Sequence, residues 1–134
     1  MMPMATMTAF AETATHDLNV WKDAACTQAA TEGTEASHED SDYYWTNAGK
    51  LYILKNGLTV SGTTTEEIIE VVESVTDLTI EDLSITSTSN PILFNGNATL
   101  TLVGNSSITF NEQGAAIMFK QCNGTIAGTG SVTA

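Results

Sequence analysis

Chemistry in this 134-residue chain has to start from its ionisable and nucleophilic side chains: 16 Asp or Glu, 4 Lys, no Arg, 2 His and 2 Cys. Glycoside hydrolysis needs two carboxylates facing each other across a cleft. Asp77, Glu81 and Asp82 form a compact acidic group in the regular half of the chain, and they fall at expected strand ends, where charged turn residues are ordinary. Base catalysis would fall to Lys50, Lys55 or Lys120, yet no acidic cluster recurs beside them. His16 and His38 lie too far apart for a metal-ligand spacing and read as surface residues. No catalytic residue, metal site or cofactor motif emerges, so the sequence leans away from an enzyme. Cys26 and Cys122 could pair in an oxidising compartment; otherwise Cys122 is a small apolar filler and Cys26 a separate thiol.

Binding chemistry is better represented. Tyr43, Tyr44 and Trp45 form an aromatic cluster whose ring faces can stack on sugars, or which can plug an open core. A column of outward hydroxyls from Thr59, Thr79, Thr101 and Thr125, and a second from Ser84, Ser107 and Ser131, can hydrogen-bond a glycan. A regular Thr array can also match an ice lattice, and Thr and Ser are in any case good solvent-facing strand residues. The formal net charge of -12 argues against nucleic acid or an anionic membrane surface as partner. No apolar run approaches the ~20 residues a membrane span requires.

The elements that would position these groups repeat. Leu58-Thr59-Val60, Leu78-Thr79-Ile80, Leu100-Thr101-Leu102 and Gly124-Thr125-Ile126 match as triplets, with 22 and 24 positions separating Leu78, Leu100 and Gly124. Leu83-Ser84-Ile85-Thr86, Ser106-Ser107-Ile108-Thr109 and Gly130-Ser131-Val132-Thr133 form a second matching set. Apolar strands at 52–54, 69–71, 92–94 and 117–119 precede the triplets. Asn56-Gly57, Asn95-Gly96 and Asn123-Gly124 supply turns tolerant of positive φ. Short alternating strands at such a period predict stacked coils, with Leu78, Ile80, Leu100, Leu102 and Ile126 inward and the Thr column outward. Residues 65–73 carry some helical periodicity, but Ile68, Ile69, Val71 and Val72 are β-branched and favour strand. The expected fold is all-β, a single-stranded parallel β-helix of three to four coils.

Residues 1–11 form an apolar run closing in Ala9-Phe10-Ala11, the small-x-small pattern of a signal-peptidase site, and read as part of a signal peptide. Residues 12–42 read as an acidic leader in which Leu18, Val20 and Trp21 make a cap strand, and 43–134 as the repeats. The second set of matches runs to the last residues, which suggests the opening section of a longer protein. Asn97, Asn105 and Asn123 fit the glycosylation acceptor pattern and are read as turn and ladder residues.

From Asn47 onward the chain resembles a right-handed parallel β-helix of the pectate-lyase-like superfold. More narrowly, it resembles the secreted, Thr-rich repeat proteins of gut Gram-positive bacteria labelled carbohydrate-binding domain-containing. The segments 58–64, 97–106 and 124–131 carry the resemblance. It implies a bacterial secreted or cell-surface module, glycan-binding or adhesin-like, whose partners are a polysaccharide or host-surface glycan and further coils of the same protein. A structural stalk, or the first part of a polysaccharide lyase or hydrolase, are the alternatives. Lyases of that family use Arg or Lys as base, and this chain has no Arg.

Overall fold

The structure is a computed structural model that describes residues 16–134, so the expected signal-peptide remnant lies outside the described residues. Among the described residues there is no helix. The strands are β1 (Leu18–Trp21), β2 (Tyr43–Trp45), β3 (Lys50–Ile53), β4 (Thr59–Thr64), β5 (Ile68–Val71), β6 (Asp77–Ser87), β7 (Ile92–Phe94), β8 (Ala98–Val103), β9 (Asn105–Phe110), β10 (Ile117–Phe119), β11 (Gly124–Gly128) and β12 (Ser131–Thr133). From β3 onward they stack in parallel as a β-solenoid of about three turns. The stretch in which helix and strand compete is β5.

Each coil has three faces. The first holds the early part of β4 and β6, then β8 and β11; the second holds the late part of β4 and β6, then β9 and β12. The third is the separate sheet β3, β5, β7 and β10. First and second faces meet at a column of left-handed backbone, with Gly62 at φ 120°, Asp82 at φ 46° and Gly104 at φ 72°. At Asp82 the inward alternation of β6 skips a beat: Leu78 and Ile80 are buried before it, Leu83, Ile85 and Ser87 after it.

Alternation aims one side chain in two at the axis, and stacking in register covers it from above and below. Leu51, Ile69 and Ile92 form one fully buried column, and Ile53, Val71 and Phe94 another. Phe94 stacks on Phe119 at 4.6 Å between ring centroids. Where a polar side chain points inward it finds a partner: Ser106 Oγ accepts the Leu83 N–H at 3.0 Å.

The pairing corrects three details of the sequence reading. The last coil is shifted by two positions: Thr125 lies beside Thr99 and Ala127 beside Thr101, while Ser131 lies beside Asn105 and Thr133 beside Ser107. An even shift keeps every side chain on its face, which is why the sequence tolerates both alignments. The third-face strand of the first coil sits one residue earlier than expected, with Leu51 and Ile53 inward and Tyr52 outward. Of the three Asn-Gly turns only Gly57 has positive φ, at 78°. Gly96 and Gly124 are instead needed for close approach, since a Cβ there would strike the Glu73 carbonyl or the Phe119 ring.

Coils lengthen along the stack. Thr59 to Thr79 is 20 positions, Thr79 to Thr101 is 22, and Thr101 to Ala127 is 26. Much of the growth is at the corner between second and third faces, bridged by residues 65–67, then 88–91, then 111–116.

The N-terminal strands run against the coils. β1 pairs antiparallel with β4, and β2 antiparallel with β3. The intervening chain bonds back onto both: the Ala30 N–H reaches Val20 O, and the Gly33 N–H reaches Tyr43 O.

Candidate ligand-binding surface

The aromatic cluster is divided by the alternation of β2. Tyr43 and Trp45 turn inward and pack against the core at the start of the stack. Burial, with Glu32 and Asp42 nearby, pushes the Tyr43 phenol up to about 12. His16 lies flat on Trp45, centroids 3.8 Å apart and planes 2° off parallel. Tyr44 points outward and is stacked against both His38 at 4.1 Å and Tyr52 at 5.0 Å. Lys50 Nζ stands 5.5 Å from the centre of the Tyr52 ring and 3.1 Å from Glu70 Oε1. Burial raises the Glu70 carboxyl, but hydrogen bonds from Asn95 and Lys50 outweigh it and hold the group below its ordinary value. These rings are engaged with one another.

Of the first-face hydroxyls, Thr59 is covered: it pairs with Trp21 of β1 and is 1% exposed. Trp21 Nε1 donates to Ser61 Oγ at 2.9 Å, and Cys26 Sγ rests 3.2 Å from Glu81 Oε1, so the leader lies over the early part of this face. Thr79 and Thr101 are in register and half-exposed, with Thr99 beside them and Thr125 exposed. The structure therefore brings Thr99, Thr101 and Thr125 together, while Thr79 stands one coil nearer the leader.

The corner between third and first faces extends this patch. Its turns are stapled across coils by side chains: Asn56 Oδ1 accepts the Thr76 N–H at 2.7 Å, Asp77 Oδ1 the Gly57 N–H at 2.7 Å, and Asn97 Oδ1 the Asn123 N–H at 2.8 Å. Two shallow hollows of about 360 and 380 Å³ lie along it. One is lined by Thr76, Asn97, Thr99, Asn123 and Thr125, the other by Glu73, Asn95, Asn97 and Gln121 among others. Amides and hydroxyls supply both donors and acceptors, the chemistry that pairs with sugar hydroxyls. Asn97, Thr99 and Asn123 were legible as turn and ladder residues; that they share a groove with Thr125 depends on the two-residue shift of the last coil.

The larger hollow, about 670 Å³, sits between residues 32–36 and 45–49 and includes His16, Trp45, Glu66 and Glu67. Glu67 lines this hollow, but its oxygens are already committed. Its oxygens accept the Asp17 N–H at 3.0 Å and the Leu18 N–H at 3.0 Å, and Glu67 Oε2 lies 3.0 Å from His16 Nδ1. Thr64 Oγ1 donates to Asp17 Oδ2 at 2.9 Å and accepts the Glu67 N–H at 3.0 Å. The network latches β1 to the coils.

No group of His, Cys, Asp and Glu among the described residues could hold a metal ion. Cys26 and Cys122 are both free: the first lies against Glu81, the second 3.2 Å from the Gly96 carbonyl, and no bridge joins them. No helix among the described residues is long and apolar enough to cross a membrane. In comparisons with protein families, characterised proteins and solved structures, nothing matches the chain.

Proposed function

We propose that the chain is a secreted or cell-surface, non-catalytic β-helix module that binds a neutral glycan along the late part of its first face and the adjoining corner. The observation that carries this is the continuity of Thr99, Thr101 and Thr125 with Asn97 and Asn123: an exposed strip of hydroxyls and amides on rigid, stapled backbone. Preorganised groups lose little freedom when a ligand docks. Neutral sugars are favoured over acidic ones because the chain is strongly anionic, with Glu73 lining the same corner. The resemblance to pectate-lyase-like right-handed β-helices and to carbohydrate-binding surface proteins supports the same reading, with adhesion as its use.

Affinity electrophoresis of the whole chain through gels holding neutral polysaccharides or polyuronates tests it. Retardation by a neutral polymer, weakened about tenfold or more by Thr125→Val with Asn123→Ala, is expected. Free migration through every polymer by protein that remains folded by circular dichroism overturns it.

A further inference from the structure

The third face differs from the other two in what it turns outward. The first and second faces carry mostly Thr and Ser there, whereas β3, β5 and β7 present Lys50, Tyr52, Ile68, Glu70 and Leu93, all half-buried. In register, Lys50 lies beside Ile68, and Glu70 stands between Tyr52 and Leu93. β2 and β10 flank these three strands, so each of them has a paired neighbour on both sides.

A hollow of about 350 Å³ opens on this face, where the corner with the second face lengthens from residues 65–67 to 88–91. Its lining combines apolar Ile68 and Leu93 with polar Ser89 and Asn90 from the corner and with the ion pair of Lys50 and Glu70, 3.1 Å apart. Both charged side chains still reach solvent, Lys50 being 33% and Glu70 19% exposed. The backbone is held from either side: the Ile68 N–H donates to Gly49 O at 3.1 Å and the Ile69 N–H to Pro91 O at 2.8 Å. Burial works against ionisation of Glu70, but the bonds from Asn95 and Lys50 prevail, so the group stays an acceptor. Each of its oxygens accepts one of those bonds and keeps a lone pair for a further donor.

We propose that this hollow binds a single pyranose unit of a neutral sugar, at a site separate from the strip on the first face. A pyranose ring has an apolar face of C–H groups and a rim of adjacent hydroxyls, each of them both donor and acceptor. Laid against Ile68 and Leu93, the C–H face leaves water. Neighbouring hydroxyls then donate to Glu70 and accept from Lys50, adding charge-assisted bonds without dismantling the pair. Ionic ligands fit less well. An acidic sugar is repelled by Glu70 and a basic one by Lys50, and a free amino acid has to separate the two groups before it can pair with either. The site goes beyond the first-face reading, and neither depends on the other.

Titration of the whole nitrogen-15-labelled chain with the methyl glycosides of glucose, galactose, mannose and N-acetylglucosamine, followed by amide chemical shifts, is the test. At least one glycoside is expected to move the amides of Lys50, Ile68, Glu70, Ser89 and Leu93, with a dissociation constant of about 1–10 mM. Glu70→Gln and, separately, Lys50→Met are expected to weaken that binding about fivefold or more with the circular dichroism spectrum unchanged. Thr125→Val with Asn123→Ala is expected to leave these shifts in place, so failure of the first-face strip and failure of this site are read apart. No shift of these amides by any glycoside up to about 100 mM, shifts confined to the first face, larger shifts with free leucine than with any glycoside, or variants that bind as the parent does, overturns the proposal.

Discussion

Thr101 lies beside Ala127 in the last coil, so the outward column of β4, β6 and β8 loses its hydroxyl at its final step. Ala127 is exposed and sits where the preceding coils carry a β-branched residue. Ala127→Thr is expected to raise stability by roughly 0.5 kcal/mol, from better strand propensity and a cross-strand Thr pair. A thermal melt that moves down instead would show that the last coil is not paired as described.

Gly104 tests the corner between first and second faces. Its φ of 72° suits glycine, and a Cβ would strike the Asp82 carboxylate, whose Oδ1 accepts the Asn105 N–H at 2.8 Å. Gly104→Ala is expected to lose about 1–3 kcal/mol by urea denaturation, since backbone strain and a displaced hydrogen bond add. Gly57 offers the control: its Cβ would meet nothing within 4 Å, leaving only the strain of φ 78°. Gly57→Ala should therefore be the milder of the two.

Glu67 is the latch of the leader. Removing it strands the Asp17 and Leu18 N–H groups and frees His16 from its carboxylate. Glu67→Ala is expected to destabilise by about 2–3 kcal/mol. It should also speed proteolytic cutting within residues 16–42 and change the tryptophan emission as His16 leaves the Trp45 ring. Equal protease resistance in variant and parent would show that β1 is held by its pairing with β4 alone.

Burial first, and then the Glu81 carboxylate, push the Cys26 thiol up from 9.0 to about 11. The sign follows: the neutral thiol is favoured in the folded chain, so its contribution to stability is complete below about pH 9 and is lost as pH rises through about 11. Near pH 8 alkylation of Cys26 is expected to run on the order of a hundredfold slower than that of an ordinary thiol, because only the thiolate reacts. Glu81→Gln should shift the pH profile of alkylation downward. A profile unmoved by that change would assign the slow reaction to steric cover alone.

The solenoid was legible because its cause is local: side chains alternate along each strand, and matching triplets recur at 20, 22 and 24 positions from Leu58 through Leu78 and Leu100 to Gly124. The leader was legible only in part. Leu18, Val20 and Trp21 announce a strand, but nothing in their spacing says that Trp21 will cover Thr59 or that His16 will lie on Trp45. Those contacts join residues 29 and 38 positions apart, and no periodicity encodes them. The same limit explains the aromatic cluster. Its composition allows either a sugar-stacking platform or a plug over the open core, and the antiparallel pairing of β2 decides which rings face the core. Register at the last coil fails for another reason, since longer corner segments there leave two alignments equally good by hydrophobic pattern.

Because added length is shed largely at one corner, the three flat sides can stay in step while that corner swells from residues 65–67 to 111–116. The edge of the prism becomes a place where segments of differing size can be hung without disturbing the ladders behind them. Diversity in such a molecule would accumulate along a single seam, leaving the remaining faces constant, much as a spine carries interchangeable pages.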